Sequence, residues 1–401
     1  MTRPFLRLAV VLGLITAVGP FAIDMYLPAL PSMGHSLSAS PATTQMSLTV
    51  FFIIIGVCQL FYGPLSDMVG RKLPIYGGLA TFAIGSIGCA LAPNIEVLLG
   101  FRALQAFGAC AGMVIPRAIV RDLYTGHDAT RLMSLLMLVV SISPLLAPLT
   151  GSFVIGAFGW RGIFIVLTIA AAFAFVLAAT ALEETRPVHL RGESSWRRAF
   201  TNYWLLLRDP EFTGLTLIGS LGISCFFIYI GSASFVLINY YGLTPRQFSL
   251  CFALNAASFF GFSQLTGMLT QKFGLPPVIS VSSIGFALAM GLLAVLATLG
   301  FDQLALMMSL LFVGYGFLGL ILPSTAVLSL ERHGAIAGTA SALMGALQMI
   351  IGSAIMAMAG LFANGTPVPM LCAIGACAVS ACLVTLWLQR PRVAIVPVSA
   401  E

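Results

Sequence analysis

The sequence contains twelve long apolar segments, and a fold that leaves them in water is excluded. Each has about 20 or more mainly apolar residues, which as a helix rising ~1.5 Å per residue crosses the ~30 Å hydrocarbon layer of a bilayer. Because 59% of the 401 residues are hydrophobic and only 8% are charged, the chain is predicted to be an all-α polytopic membrane protein. The predicted segments are 8–30, 43–66, 73–92, 97–119, 132–155, 161–182, 212–237, 247–270, 277–299, 303–328, 336–361 and 368–389.

Basic residues are distributed unevenly between the two sides of this predicted array. If the N-terminus is cytoplasmic, the cytoplasmic side holds Arg3, Arg7, Arg71, Lys72, Arg121, Arg131, Arg186, Arg191, Arg197, Arg198, Arg208, Lys272, Arg332, Arg390 and Arg392. Only Arg161 and Arg246 lie outside. This positive-inside bias predicts that both termini are cytoplasmic. The net charge of +6 is therefore explained by a membrane surface, and no nucleic-acid partner is expected.

One long loop divides the segments into two sets of six. We predict an N-terminal six-helix bundle over 1–185, a cytoplasmic linker over 186–211 and a C-terminal six-helix bundle over 212–401. GPLSDMVG at 63–70 matches GMLTQKFG at 267–274, and GMVIP at 112–116 matches GLILP at 319–323. Such a parallel repeat is typical of transporters whose bundles rock about a central site. The linker is predicted either to lie on the inner leaflet as an amphipathic element or to be a flexible tether.

The loop between segments two and three reads GPLSDMVGRK from position 63. Gly63 and Gly70 allow a close helix approach and a tight turn. Asp67 suits a helix cap or an arginine partner, and Arg71 and Lys72 mark the cytoplasmic face. The stretch resembles the motif G-x-L-a-D-r-x-G-r-k of the major facilitator superfamily, with methionine at position 68. The resemblance implies the major facilitator fold and a charge latch that steadies the outward-facing state and opens as the bundles rock. A turn with charged anchors is the plainer reading of the same residues.

Two charged residues are predicted at membrane depth near the outer face. Asp24 lies in PFAIDMYLPALP of segment one, and Arg102 lies in LGFRALQAFGA of segment four, which resembles the superfamily motif R-x-x-q-G-x-g. An arginine inside a membrane costs ~2.5–3.5 kcal/mol on insertion scales, so a partner or a watery cavity is expected beside it. Counted from the segment ends, both residues lie roughly 9 Å below the outer boundary and meet if their helices are neighbours.

Opposed influences make Asp24 the predicted proton carrier, with Arg102 as its coupling partner. A cavity of low dielectric favours the neutral acid, whereas the nearby guanidinium favours the carboxylate. A fixed ion pair that only positions two helices is the alternative. Arg117 lies close to the inner interface and is expected to extend its charged end to that surface.

Segment five contains SPLLAPLTG at 143–151. Pro144 and Pro148 bend the helix, and Gly151 lets a neighbour pack tightly. The stretch resembles a degenerate form of the antiporter motif g-x-x-x-G-P-x-x-G-G, with Ala147 in place of the central glycine. In the superfamily this element seals the binding cavity and accompanies antiport rather than uptake.

Further stretches narrow the resemblance to one branch of the superfamily. RDLY at 121–124, GWRGIF at 159–164, ETRP at 184–187 and AGTAS at 337–341 resemble the Bcr/CflA drug:proton antiporters. The resemblance implies export of small amphipathic drugs, often antibiotics, in exchange for protons from the inner membrane of a bacterium. It implies the proton gradient as the energy source, without a cofactor, and we expect a monomer embedded in the lipid bilayer.

The substrate cavity is expected between the halves, because aromatic walls with a few amides suit amphipathic ligands. The candidate lining residues are Tyr26, Gln45, Met46, Phe52, Phe226, Phe227, Tyr229, Asn255 and Gln348. A proton-coupled exporter of one metabolite and a passive solute channel are the alternative functions. Neither a metal site nor an enzyme is expected, because no histidine lies within a segment and the cysteines lack the spacing of metal ligands.

Overall fold

The computed structural model describes residues 3–191, 195–331 and 333–389. Within these ranges the chain is helical and contains no strand. The helices are α1 (Arg3–Asp24), α2 (Leu30–Ser36), α3 (Pro41–Val69), α4 (Lys72–Leu91), α5 (Ile95–Leu123), α6 (Gly126–Ala181), α7 (Val188–Arg191), α8 (Trp196–Leu207), α9 (Pro210–Ser234), α10 (Pro245–Ser263), α11 (Thr266–Phe273), α12 (Leu275–Thr298), α13 (Leu304–Glu331), α14 (Ala337–Leu361) and α15 (Val368–Leu388). Of the predicted cytoplasmic arginines, Arg332, Arg390 and Arg392 lie outside the described residues.

Helix α6 contains two membrane crossings. Its 56 residues are far more than the ~20 that a bilayer requires. Gly159, with φ 68° and ψ −177°, interrupts the helical conformation and separates the predicted segments five and six. The described chain has eleven apolar helical stretches long enough to cross a membrane, and this division makes twelve crossings. The predicted all-α polytopic fold is confirmed.

The first crossing differs from the continuous segment predicted over 8–30. Helix α1 ends at Asp24, a 3-10 turn covers Leu27–Ala29, and α2 begins at Leu30. Pro28 explains the break, because it has no N–H group for the carbonyl of Asp24 four residues earlier. The predicted acid therefore ends a helix rather than standing within one.

The helices pack as two sets, and a few helix pairs join one set to the other. We call each of these inter-half helix contacts a seam. We call α1–α6 the first half and α9–α15 the second half. The seams pair α3 with α14 and α6 with α10. These pairs are equivalent under the predicted repeat, because they join segment two to eleven and segment eight to five.

The two ends of the molecule differ in how closely the halves approach. We call the end with residues 70–71 and 182–209 the linker end, and the opposite one the far end. At the far end, the turn Leu27–Ala29 packs against α9 and α10 of the second half. At the linker end, residues of both halves line two cavities of about 590 and 570 Å³. The halves also leave a cavity at the far end, but it is smaller, about 210 Å³. The structure is therefore more nearly closed at the far end and has a wider groove at the linker end.

The linker contains an ordered helix, α8, that touches both halves. It packs against α14 and α9, and the hydroxyl of Tyr203 donates to the carbonyl of Leu60 in α3 at 3.0 Å. Its outer side exposes Phe200 and Trp204, and the guanidinium of Arg208 lies over the Trp204 ring. Such a face agrees with the amphipathic prediction rather than with a flexible tether.

Candidate functional site

Arg102 is completely buried in the first half. Its guanidinium lies between two aromatic rings, with Cζ 4.4 Å from the centroid of Tyr26 and 4.2 Å from that of Phe51. Nη1 donates to the carbonyl of Ala22 in α1 at 3.2 Å and to Oε1 of Gln105. Nη2 has no hydrogen-bond partner among the described residues. The charge is therefore held by ring faces and neutral oxygens.

A chain of polar side chains extends from Arg102 through three neighbouring helices. The hydroxyls of Tyr26 and Ser47 lie 3.1 Å apart, and Gln105 Nε2 donates to Ser86 Oγ at 2.7 Å. All of these side chains are buried. Sequence reasoning missed Ser47, Ser86 and Gln105. The spacing of Gln105, three residues after Arg102 on one helix face, was the signal that could have identified it.

Asp24 is 4% exposed and ends α1 two residues after Ala22. No described cation lies within ion-pair distance of its carboxylate, and no described residue donates a hydrogen bond to it. Helices α1 and α5 are neighbours, which is the condition under which Asp24 and Arg102 were expected to meet. A fixed Asp24–Arg102 ion pair is nevertheless not formed in this structure.

The loop after α3 forms a charge cluster centred on Arg71, which is 3% exposed. Its guanidinium lies 2.7 Å from Asp67 and 2.8 Å from Asp122 of α5. It also donates to Ser66 Oγ at 2.7 Å. All these partners belong to the first half. The cluster therefore joins the ends of α3, α4 and α5, and its role as a latch between conformations stays a prediction.

Glu184, just after α6, closes the loop at Gly70. Its carboxylate accepts from the N–H groups of Arg71 and Lys72 at 2.8 and 3.2 Å. Gly70 has φ 99°, and a Cβ there would lie 2.5 Å from Glu184 Oε2, so only glycine fits. Burial alone would raise the pKa of Glu184, but the N–H groups of Arg71, Arg186 and Lys72 bring that pKa below its usual value.

Gly63 does not lie at a close approach of two helices, which the sequence had suggested. A Cβ on this residue would meet no atom within 4 Å, so the predicted close helix approach is absent. Gly63 instead lines the 570 Å³ cavity together with Asp67. The absence of a side chain here leaves the groove wider.

The proline-rich stretch of α6 forms the seam between the end of α1 and the second half. Pro144, Ala147, Pro148 and Gly151 are all buried. A Cβ on Gly151 would lie 1.8 Å from the carbonyl oxygen of Met25, so α6 touches the backbone directly after Asp24. The carbonyl of Pro148 accepts from the hydroxyl of Ser249 in α10 at 2.8 Å. This stretch therefore links the Asp24 region to the second half.

Three of the proposed cavity residues form an aromatic cluster in the second half. Phe226 packs against Phe252 and Tyr315, and the Tyr229 ring is stacked on Phe252. Asn255 Nδ2 lies 3.0 Å from the Tyr229 hydroxyl, while its Oδ1 has no partner among the described residues. An unpaired amide oxygen beside aromatic rings suits a polar group on an amphipathic ligand.

The remaining cavity candidates lie in four different settings. Phe52 and Phe227 stack across the two halves, with ring centroids 4.0 Å apart and planes inclined by 7°. Gln45 donates to a backbone carbonyl of α14 at 3.3 Å and thus fastens the seam. Gln348 lies within the second half. Met46 is 41% exposed and stands apart from these buried contacts.

The geometry agrees with comparisons against known proteins. The family model described as "Major Facilitator Superfamily" matches residues 12–357. The chain is 36% identical to an uncharacterized MFS-type transporter, YdgK, of Bacillus subtilis, over 97% of this chain and 96% of the relative. It is 30% identical to a bicyclomycin resistance protein homolog of Haemophilus influenzae, with 94% of each covered. It is 32% identical to multidrug resistance protein D of Escherichia coli, with 88% and 87% covered.

A solved structure shows the same fold. The nucleoside transporter NupG superposes with a TM-score of 0.76 at 15% identity, over 96% of this chain and all of that one. The resemblance read from the charged loop, segment four and segment five is thus confirmed. The chain belongs to the major facilitator superfamily.

Proposed function

We propose that this protein is a proton-coupled antiporter that exports small amphipathic, drug-like molecules by alternating access. Relatives over nearly the whole chain are named for bicyclomycin resistance and multidrug resistance. The observation that carries the proposal is Asp24, a buried acid with no ion pair or hydrogen bond to a described residue, two residues after the α1 carbonyl that binds Arg102. Structural packing alone does not account for an unpaired acid at this depth, because it is costly to bury.

Arg102 supplies a way to release the proton. Its Nη1 already reaches α1 at Ala22, two residues before Asp24, and its Nη2 is uncommitted. We propose that a movement of α1 brings Nη2 to the carboxylate, because a guanidinium partner favours the ionised acid. We propose that Asp24 takes up a proton when the far end is open and loses it when Arg102 engages.

The moving parts of the proposed cycle are the two halves. We propose that residues 1–185 and 212–401 act as bodies joined by the linker 186–211. The charge cluster at Arg71 would keep the ends of α3, α4 and α5 together as the first half moves. Proline and glycine positions in α6 would seal the far end through their contacts with Met25 and Ser249.

Orientation follows from charge. Most loop arginines and lysines lie at the linker end, so the positive-inside rule places that end in the cytoplasm. The groove at the linker end then faces the cytoplasm, and the more nearly closed far end faces outward. We propose that the structure represents an inward-facing carrier in the inner membrane of a bacterium.

The test compares Asp24→Asn with the wild type in proteoliposomes that carry an imposed proton gradient, with bicyclomycin and chloramphenicol as probes. We expect uphill drug transport in the wild type and its loss in the variant, while drug binding in detergent persists. Glu96→Gln is the matched control, because Glu96 is an exposed acid at the far end of α5. Full coupling in Asp24→Asn would show that the proton site lies elsewhere. If the rate and direction of drug transport by the wild type do not depend on the proton gradient, a channel would be indicated.

A further inference from the structure

Arg121 near the end of α5 lines the groove at the linker end, and Arg117 lies one turn earlier on the same helix. Val114 and Arg121 both line the 570 Å³ cavity, and Arg117 lies three residues after the first and four before the second, on the same helix face. Arg117 and Arg121 are exposed, and neither has a hydrogen bond or ion pair with any described residue. The expectation that Arg117 extends its charged end to the inner surface stays a prediction, and its place on the helix sets it one turn from Arg121 beside the groove.

The opposite wall of the groove presents the start of α14. Gly338 and Thr339 line the cavity, and a Cβ on Gly338 would lie 3.5 Å from Arg121 Nη1. Arg121 thus reaches across from the first half to the first turn of this helix. No side chain caps α14, and its first turn has no acid, while the N–H of Ala337 donates to the carbonyl of Gly334 in the preceding 3-10 turn. The start of a helix carries partial positive charge and favours anions.

The acids available near the groove do not neutralise this charge. Arg198 of α8 also lines the cavity, and Asp67 is the acid among its lining residues. Asp67 is already paired with buried Arg71 at 2.7 Å. The walls therefore combine the guanidinium of Arg121, which has no partner among the described residues, with the partial positive charge of a helix start, in a volume typical of small-molecule sites. Arginine binds carboxylate, sulfonate and phosphate oxygens through paired donors.

We propose that this basic groove binds the anionic group of a small amphipathic substrate that enters from the linker end. The inference rests on the proposed export function for its biological meaning, but the binding it describes requires no proton gradient. It extends the substrate class from neutral drugs to amphipathic monoanions. Arg117 and Arg121 hold the anion, and the first turn of α14 contributes donors from the second half.

The test uses two fluorescent probes that differ by one charged group. 8-Anilinonaphthalene-1-sulfonate is an amphipathic monoanion, and N-phenyl-1-naphthylamine is the same molecule without its sulfonate. Binding of each is measured to full-length protein in nanodiscs of phosphatidylcholine, with empty nanodiscs subtracted. The variants are Arg117→Gln and Arg121→Gln, alone and together. Arg246→Gln is the matched control, since it removes the same charge from an exposed site at the far end.

We expect each groove variant to raise the dissociation constant of the sulfonate about tenfold, because a hydrogen bond to a charged group is lost. The uncharged probe should bind all variants equally. Added salt should weaken sulfonate binding to the wild type and have little effect on the double variant. Equal sulfonate binding by the wild type and the double variant would overturn the proposal.

A lipid phosphate is the other possible source of the same chemistry, and it has its own measurement. The sulfonate titration is repeated in nanodiscs containing phosphatidylglycerol. Displacement of the probe from wild-type protein by this lipid, down to the level of the double variant, would assign the groove to lipid and overturn the substrate proposal. Thermal unfolding of each variant confirms that the fold is retained.

The outcome is separable from that of the proposed function. Loss of proton coupling in the transport assay, with arginine-dependent sulfonate binding intact, would refute antiport and leave the anion site standing. Proton-coupled drug export with arginine-independent sulfonate binding would refute the anion site alone.

Discussion

Replacing Gly151 with alanine is expected to disrupt the contact between α6 and the residues that follow Asp24. A Cβ there would lie 1.8 Å from the carbonyl oxygen of Met25 and 2.8 Å from its carbonyl carbon. Ordinary contacts of this kind begin at 3.4 Å, so the two backbones must separate by about 1.6 Å. The obstacle is backbone rather than a side chain, and therefore it has no rotamer by which to move aside.

The cost of Gly151→Ala follows from two opposed effects. Forcing an extra methyl group into a packed interior costs ~1–3 kcal/mol, and an unyielding backbone contact favours the upper end. Alanine in a helix gains ~1 kcal/mol over glycine. The net loss of stability is therefore about 2 kcal/mol. Gly156→Ala is the matched control, because a Cβ on Gly156 of the same helix meets nothing within 4 Å and only the gain of ~1 kcal/mol remains.

The assay is thermal unfolding of both purified variants in one detergent, followed by tryptophan fluorescence. Gly151→Ala should unfold several degrees below the wild type, and Gly156→Ala at or above it. Transport by Gly151→Ala should also fall, because the seam closes the far end beside the proposed proton site. If Gly151→Ala unfolds at the temperature of Gly156→Ala, the close packing of α6 against Met25 is refuted.

Two further predictions concern the charge cluster at the linker end. Asp122→Asn leaves a buried guanidinium short of a partner and should lower the unfolding free energy by about 3 kcal/mol, as measured by denaturant titration. Asp67→Asn is its control, with a side chain 36% exposed and an expected loss below ~1 kcal/mol; equal losses would contradict the central place of Asp122. Glu184 has a pKa below that of the unfolded chain, so its contribution is present above the unfolded value of ~4.3 and is lost as the pH falls through the folded value. Glu184→Gln should therefore flatten the fall in unfolding temperature between neutral and acidic pH, and an unchanged acid profile would count against this account.

The sequence predicted the crossings because segment length and charge placement are local properties. The break after Asp24 was missed although Pro28 stands in the sequence, because a proline either kinks a helix or ends it, and packing decides which. Gly159 was predicted only as part of a loop, whereas it turns within one long helical stretch. The packing around Pro28 and Gly159 in the folded protein determines where the helical conformation breaks.

The sequence predicted which helix Arg102 contacts, but it did not predict which atom of that helix the guanidinium binds. Counting residues from the segment ends placed Arg102 beside α1, and the two helices are indeed neighbours. Counting does not reveal which atom of α1 receives the guanidinium, and Arg102 binds a carbonyl where an acid was expected.

The stacked rings of Phe52 and Phe227 set a condition on turnover. They lie near the middle of α3 and α9 and join the two halves, so any cycle that separates the halves at this level must part them once and close them once. Such a pair contributes ~0.5–1.5 kcal/mol beyond its buried area, which is less than the ~2.3 kcal/mol that one charge gains across 100 mV. The contact is thus strong enough to bias the resting state towards closure and weak enough for a single proton to reverse it.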